Sequence, residues 1–171
     1  MIRPATTSDA EVISQIYNHY ILNTVVTFEE VIVTASEMAA RIQAVQDHSL
    51  PWLVCELDNR TVGKSTAGNN IVGYAYAGIW NGRSAYRFSV ECTVYLDHAV
   101  VKRGLGTALY DALFAMLRSK KLHSVIGGIA LPNEASVALH EKFGLTKAAH
   151  YKEVGFKFDR WIDVGYWQVL L

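Results

Sequence analysis

In the run SVECTVYL, residues 89–96, one carboxylate, Glu91, stands among Val90, Cys92 and Val94. Burying a carboxylate without a partner is costly, so Glu91 either reaches solvent or an arginine, or is held for proton transfer. Shortly after, VVKRGLGTALYDALFAML sets Lys102 and Arg103, then Gly104 and Gly106, before an apolar-periodic segment. The first turn of a helix has unpaired N–H groups and a partial positive charge, which suit an anion. Glycines let backbone approach that anion closely, and the two cations add attraction. The same residues also read as a plain strand-to-helix turn. Farther on, Asn133 and His140 stand seven residues apart in PNEASVALHEKFG, close to two helical turns, and share one face. Histidine gives or takes a proton near neutral pH, while Asn133 also reads as a simple N-cap.

These residues need elements to hold them. IRPAT reads as a short strand. Ser8, with Glu11 three residues on, reads as a capping box for a helix carrying Val12, Ile13, Ile16, Tyr17 and Tyr20 at helical period. A second helix is expected near Ala35–Gln46, then strands at PWLVCELD and IVGYAYAGIW, joined by an extended hairpin tip, NRTVGKSTAGNN. AYRFSVECTVYLD reads as one long strand that turns through VVKRGLG into a helix. HSVIGGIAL reads as a buried strand with glycines where something approaches the backbone. Pro132-Asn133 opens a helix ended by Gly144, and two strands close the chain. The order β-α-α-β-β-β-α-β-α-β-β is a mixed α+β fold around one sheet, in a single domain spanning 1–171.

The composition excludes several function classes. Sixteen basic and sixteen acidic residues cancel, which argues against broad nucleic-acid or anionic-membrane binding. No apolar run approaches the roughly 20 residues that span a bilayer, and MIRPATTSDAE is unlike a secretory leader. Cys55 and Cys92 read as packed thiols, and a reducing cytoplasm is expected. Gly63-Lys64-Ser65 fails as a phosphate-binding P-loop, since Asp58 stands where the motif needs glycine and a strand follows. A dinucleotide fingerprint fails at Leu109, and the histidines lack metal-ligand spacing, so no metal is expected.

With these pieces in order, the chain resembles the GNAT superfamily of acyl-CoA-dependent N-acetyltransferases over essentially its whole length. NHYILNTVVTFEE, YAGIWNGRSAYRFSVECTVYLDH, GLGTALYDAL, LPNEASVALHEKFG and DRWIDVGYWQ resemble the phosphinothricin N-acetyltransferase group in particular. The resemblance implies a mostly antiparallel twisted sheet with a splayed parallel strand pair and helices on both faces. It implies acetyl-CoA as co-substrate, with its pyrophosphate on Lys102, Arg103, Gly104, Leu105, Gly106 and Thr107. Val101 departs from the Gln or Arg usual at that point of the loop; the backbone logic does not depend on it. Val94, Tyr95 and Leu96 are implied to pair with the pantetheine arm, and Asn133 to touch the cofactor.

By the same resemblance Glu91 is the general base and His140 an acid or auxiliary base, with Tyr110 as another candidate acid that also reads as core. Phe28, Glu29, Asn81, Gly82, Arg83, Arg87, Cys92 and Thr93 are implied on the acceptor side, the arginines for an amino-acid carboxylate. Asn81 replaces a basic residue common in the group, which puts the phosphinate substrate itself in question. The implied function is transfer of an acetyl group to a small amino-acid-like amine in a ternary complex, by a homodimer whose KFDRWIDVGYWQ region adjoins its partner. Two alternatives keep the fold: acetylation of a peptide or protein amine, and a non-catalytic acyl-CoA-binding module.

Overall fold

A computed structural model describes residues 1–57, 70–100 and 104–171. The expected hairpin tip, with Gly63-Lys64-Ser65, and the residues Val101, Lys102 and Arg103 lie outside the described residues. In chain order the elements are β1 (Ile2–Pro4), α1 (Ala10–Asn23), α2 (Ala35–Asp47), β2 (Trp52–Glu56), β3 (Ile71–Ile79), β4 (Ser89–Leu96), α3 (Leu105–Ser119), β5 (Ser124–Ala130), α4 (Glu134–Lys142), β6 (Thr146–Lys157) and β7 (Arg160–Leu170). The strands form one seven-stranded sheet in the order β1-β2-β3-β4-β5-β7-β6. The expected sequence of elements and the mixed fold are both found. No helix among the described residues is long and apolar enough to cross a membrane.

Strand alternation divides the core between two faces. Trp52 and Val54 of β2 point toward Ile13, Ile16, Tyr17 and Ile21 of α1 and Met38 and Ile42 of α2. Leu53 and Cys55 point the other way, with Val72, Val90 and Cys92, toward Leu109, Leu113, Phe114 and Leu117 of α3. Both cysteines are free and buried, as read from the sequence.

Three local expectations are corrected. The N-terminal cap of the first helical segment is not Ser8 with Glu11: Thr6 donates its N–H to the Asp9 carboxylate at 2.8 Å, because Arg3 already holds Asp9 in place. The long strand begins only at Ser89, since Ser84–Tyr86 form a 3-10 turn. The last strand, expected over FDRWIDVGYWQVLL, begins only at Arg160: Phe158 and Asp159 both have positive φ (52° and 55°) and make the two-residue turn between Lys157 and Arg160.

The feature that creates a site is the β4–β5 pair. It is parallel and runs only through Ser89↔Ser124, Val90↔Val125 and Glu91↔Ile126, while β5 stays paired to β7 from Ser124 to Ala130. Beyond Glu91, β4 and β5 part and leave a gap through the sheet.

Candidate active site

Backbone polarity in the gap follows from two bonds. Asp97 donates its N–H to Val72 O at 2.8 Å, and Ser89 O accepts from Trp80 N. Odd-numbered residues of β4 therefore face β3, and Cys92, Val94 and Leu96 turn their backbone groups toward the gap. Of the three residues expected to pair with the pantetheine arm, Val94 presents backbone there, and so does Leu96, although the Leu96 carbonyl oxygen already accepts from the Tyr20 hydroxyl at 2.7 Å. Tyr95 does not: its side chain joins a ring cluster with Tyr17, Tyr20 and Tyr74.

A cavity of about 250 Å³ occupies the gap, lined from one side by Glu91, Thr93, Tyr76 and Tyr95, and from the other by Cys92, Tyr110, Ser136 and His140. Glu91 is largely buried, and desolvation holds its pKa above the usual carboxylate range. Its Oε1 lies against Gly128 of β5, where a Cβ would stand 3.0 Å from that oxygen and 3.1 Å from the Tyr166 ring. At the neighbouring Gly127 a Cβ would collide with the His140 imidazole. Each of these two glycines of β5 thus admits a catalytic candidate to the gap, one from each face, which accounts for GG in a buried strand.

His140 is 3% exposed. Its Nδ1 lies 2.7 Å from the Ser136 carbonyl oxygen, which only accepts, so Nδ1 carries the proton. Burial lowers the His140 pKa despite that bond, favouring the neutral ring. Nε2 then accepts, at 3.1 Å, from the Tyr110 hydroxyl. Tyr110 in turn adjoins the Cys92 thiol, which burial pushes up to about 12. Tyr110 is core, as its helical spacing suggested, and is also the hydrogen-bond partner of His140. The sequence reading left these two residues unconnected.

A second cavity, about 310 Å³, opens at the start of α3 between Gly104, Gly106 and Thr107 and the α4 residues Ala135, Leu139 and Lys142. Gly104 has φ of 71°, a left-handed turn that L side chains rarely adopt. The first helical bond is Ala108 N to Gly104 O, so the N–H groups of Leu105, Gly106 and Thr107 precede the ladder. Among the described residues no side chain caps them, unlike α2, capped by Thr34, and α4, capped by Asn133. Lys142, which no sequence motif had singled out, reaches Thr107 Oγ1 at 3.4 Å and places a cation beside them. The arrangement fits a phosphate group. Asn133 accepts from Ser136 N at 3.1 Å, in keeping with the N-cap role.

A third cavity, about 630 Å³, adjoins the first and shares Val26 and Gly128 with it. Phe28, Trp80, Tyr151 and Tyr166 wall it. Phe28 is where the acceptor reading put it; Trp80 and Tyr166 meet edge to face at 5.6 Å. Glu29 instead pairs with Arg41 at 2.7 and 3.0 Å and accepts from Tyr17. Asn81 and Arg87 line a separate cleft with His48 and Lys120. Gly82 and Arg83 are exposed on the β3–β4 connection. The structure thus gathers Glu91, Cys92, Thr93, Val94, Tyr95 and His140 around one cavity and leaves the arginines outside it.

A family model described as Acetyltransferase (GNAT) domain matches residues 2–165. A phosphinothricin N-acetyltransferase of Streptomyces viridochromogenes is 38% identical over 167 residues, covering 98% of this chain and 85% of that one. An L-methionine sulfoximine/L-methionine sulfone acetyltransferase of Salmonella typhimurium is 34% identical, with 99% and 94% covered. The crystal structure of a GNAT superfamily phosphinothricin acetyltransferase from Sinorhizobium meliloti in complex with AcCoA superposes with a TM-score of 0.91 at 33% identity, covering 100% of this chain and 88% of that one. The chain belongs to the GNAT acetyltransferase family and is an acetyl-CoA-dependent N-acetyltransferase.

Proposed function

We propose that the protein transfers the acetyl group of acetyl-CoA directly to the amino group of a small amino-acid-like substrate within a ternary complex. The observation that carries this reading is the position of Glu91: one desolvated carboxylate where the cavity in the strand gap meets the acceptor cavity. A raised pKa makes it a stronger base than an exposed glutamate, able to take a proton from an amine nitrogen. The amine nitrogen attacks the thioester carbonyl, the C–N bond forms and the C–S bond breaks. Of the two protons a bound ammonium loses, one leaves through Glu91 to solvent and one ends on the departing sulfur. A Val94 N–H turned into the gap is placed to polarise the carbonyl.

Direct transfer is supported by Cys92, whose thiol at a pKa of about 12 is a poor nucleophile for an acyl-enzyme route. The neutral His140, bonded to Ser136 O and accepting from Tyr110, serves as a positioning partner; gaining a proton, whether as an auxiliary base or before acting as an acid, is what burial disfavours. The relatives' names support an amino-acid-like acceptor. A homodimer is supported by apolar residues left half or more exposed on β6–β7, among them Val154, Phe156 and Trp161. Net charge of zero fits a small-molecule partner.

Thiol release from acetyl-CoA, measured over amino acids and their sulfone and sulfoximine analogues, polyamines and peptides, tests the reading. Glu91→Gln is expected to slow turnover by roughly 10²–10⁴-fold with acetyl-CoA affinity retained. Near-normal turnover in the folded variant removes the base assignment.

A further inference from the structure

The acceptor cavity is uniform in its chemistry. Among the described residues lining its roughly 630 Å³, none carries a formal charge at neutral pH. Its walls are rings held by one another: Tyr166 makes T-shaped contacts with Trp80 at 5.6 Å and with Tyr151 at 5.8 Å. Four described cations on the neighbouring elements are engaged elsewhere. The Arg87 guanidinium lies 4.5 Å over the Phe88 ring and donates to Ser84 O. Arg41 is bound to Glu29, Lys157 donates to Thr27 O, and Lys147 lies over Trp167. The charge that does adjoin the cavity is negative: Glu91, whose carboxylate sits against the shared Gly128.

An anionic side group adds a second negative charge to the α-carboxylate that every amino-acid acceptor carries; entering this space it loses its hydration, meets no cation among the lining residues and approaches Glu91. An apolar or aromatic side group sheds water against Trp80, Tyr166 and Phe28 and gains contact. We infer that this enzyme selects amino-acid-like amines with an uncharged apolar or aromatic side chain, and discriminates against those with an anionic one, phosphinothricin included. The inference rests on the proposed amino-acid reading and on Glu91 marking where the amine reacts.

Steady-state kinetics with acetyl-CoA and five acceptors separate the possibilities: L-phenylalanine, L-leucine, L-methionine sulfone, L-phosphinothricin and L-glutamate. All five share the α-amino and α-carboxylate groups, so the comparison isolates the side chain. The expected kcat/KM for phenylalanine or leucine exceeds that for phosphinothricin and for glutamate by about tenfold or more, a margin a single well-fitted apolar group can supply. Ala148, which lines the cavity and is exposed, can be replaced without disturbing the core; Ala148→Arg is expected to lower the phenylalanine value and raise the phosphinothricin value, and an unchanged ratio counts against the inference. Trp80→Ala is expected to raise KM for phenylalanine while KM for acetyl-CoA stays put. Phosphinothricin or glutamate matching the apolar acceptors in the unaltered protein overturns the inference and leaves the proposed function standing. Acetyl-CoA binding with no turnover of any of the five overturns the amino-acid reading and this inference with it.

Discussion

Glu91 couples catalysis to stability with opposite signs. Burial raises its pKa in the folded protein, so the native state holds the proton to higher pH than the unfolded chain does. That contribution to stability is fully present below the unfolded pKa and is lost as pH rises through the folded one. Catalysis needs the other form. The acid limb of kcat is therefore expected at a pH above the usual carboxylate range, reported by a pH–rate profile, and absent from what activity remains in Glu91→Gln. At neutral pH the Gln variant, which has no charge to bury, is expected to melt at or above the temperature of the unaltered protein, and the difference should close at acid pH. Glu91 was legible in the sequence because a carboxylate among Val90, Cys92 and Val94 breaks the pattern of a core strand. The Tyr110–His140 bond was not, since it joins helices whose packing no local pattern encodes.

At the scale of elements, β5 decides which groups reach the gap. Gly127→Ala puts a methyl into the His140 ring, which is nearly fully buried and tied to Ser136 O. The ring must shift and release the Tyr110 hydroxyl, leaving buried polar groups unpaired at about 1–3 kcal/mol. Chemical denaturation is expected to show that loss, together with reduced turnover; unchanged stability would mean that His140 has room to move. Gly128→Ala crowds Glu91 and Tyr166 more gently, at 3.0 and 3.1 Å. HSVIGGIAL signalled a close approach but did not name what approached, because His140 and Glu91 come from elements on either side of it.

At the scale of the molecule, the β6–β7 hairpin carries Phe156 and Trp161 in ring contact at 4.9 Å, both more than half exposed. Large apolar side chains clustered at a surface mark an interaction site. If the proposed homodimer uses this surface, Trp161→Glu places a charge in it and is expected to shift the protein to monomers in sedimentation velocity; an unchanged mass would assign the dimer to another face. The same hairpin grips the segment after α1 from within: Lys157 is 2% exposed, donates to Thr27 O at 2.8 Å and is lowered in pKa by burial. Val26 and Phe28, on either side of Thr27, line the acceptor cavity, so the hairpin shapes that wall.

The order of elements, the glycine-opened α3 and the oddity of Glu91 follow from residue type and spacing, because periodicity, helix-end chemistry and the cost of a buried charge act over short stretches of chain. The cavity in the strand gap and its meeting with the acceptor cavity at Gly128 depend on where β4 leaves β5, and that parting exists only once seven strands are assembled. For the same reason the arginines looked well placed in the sequence, a few residues before Glu91, yet Arg83 ends on an exposed turn and Arg87 over Phe88. Proximity along a chain says which residues share an element; which of them share a cavity is decided by packing.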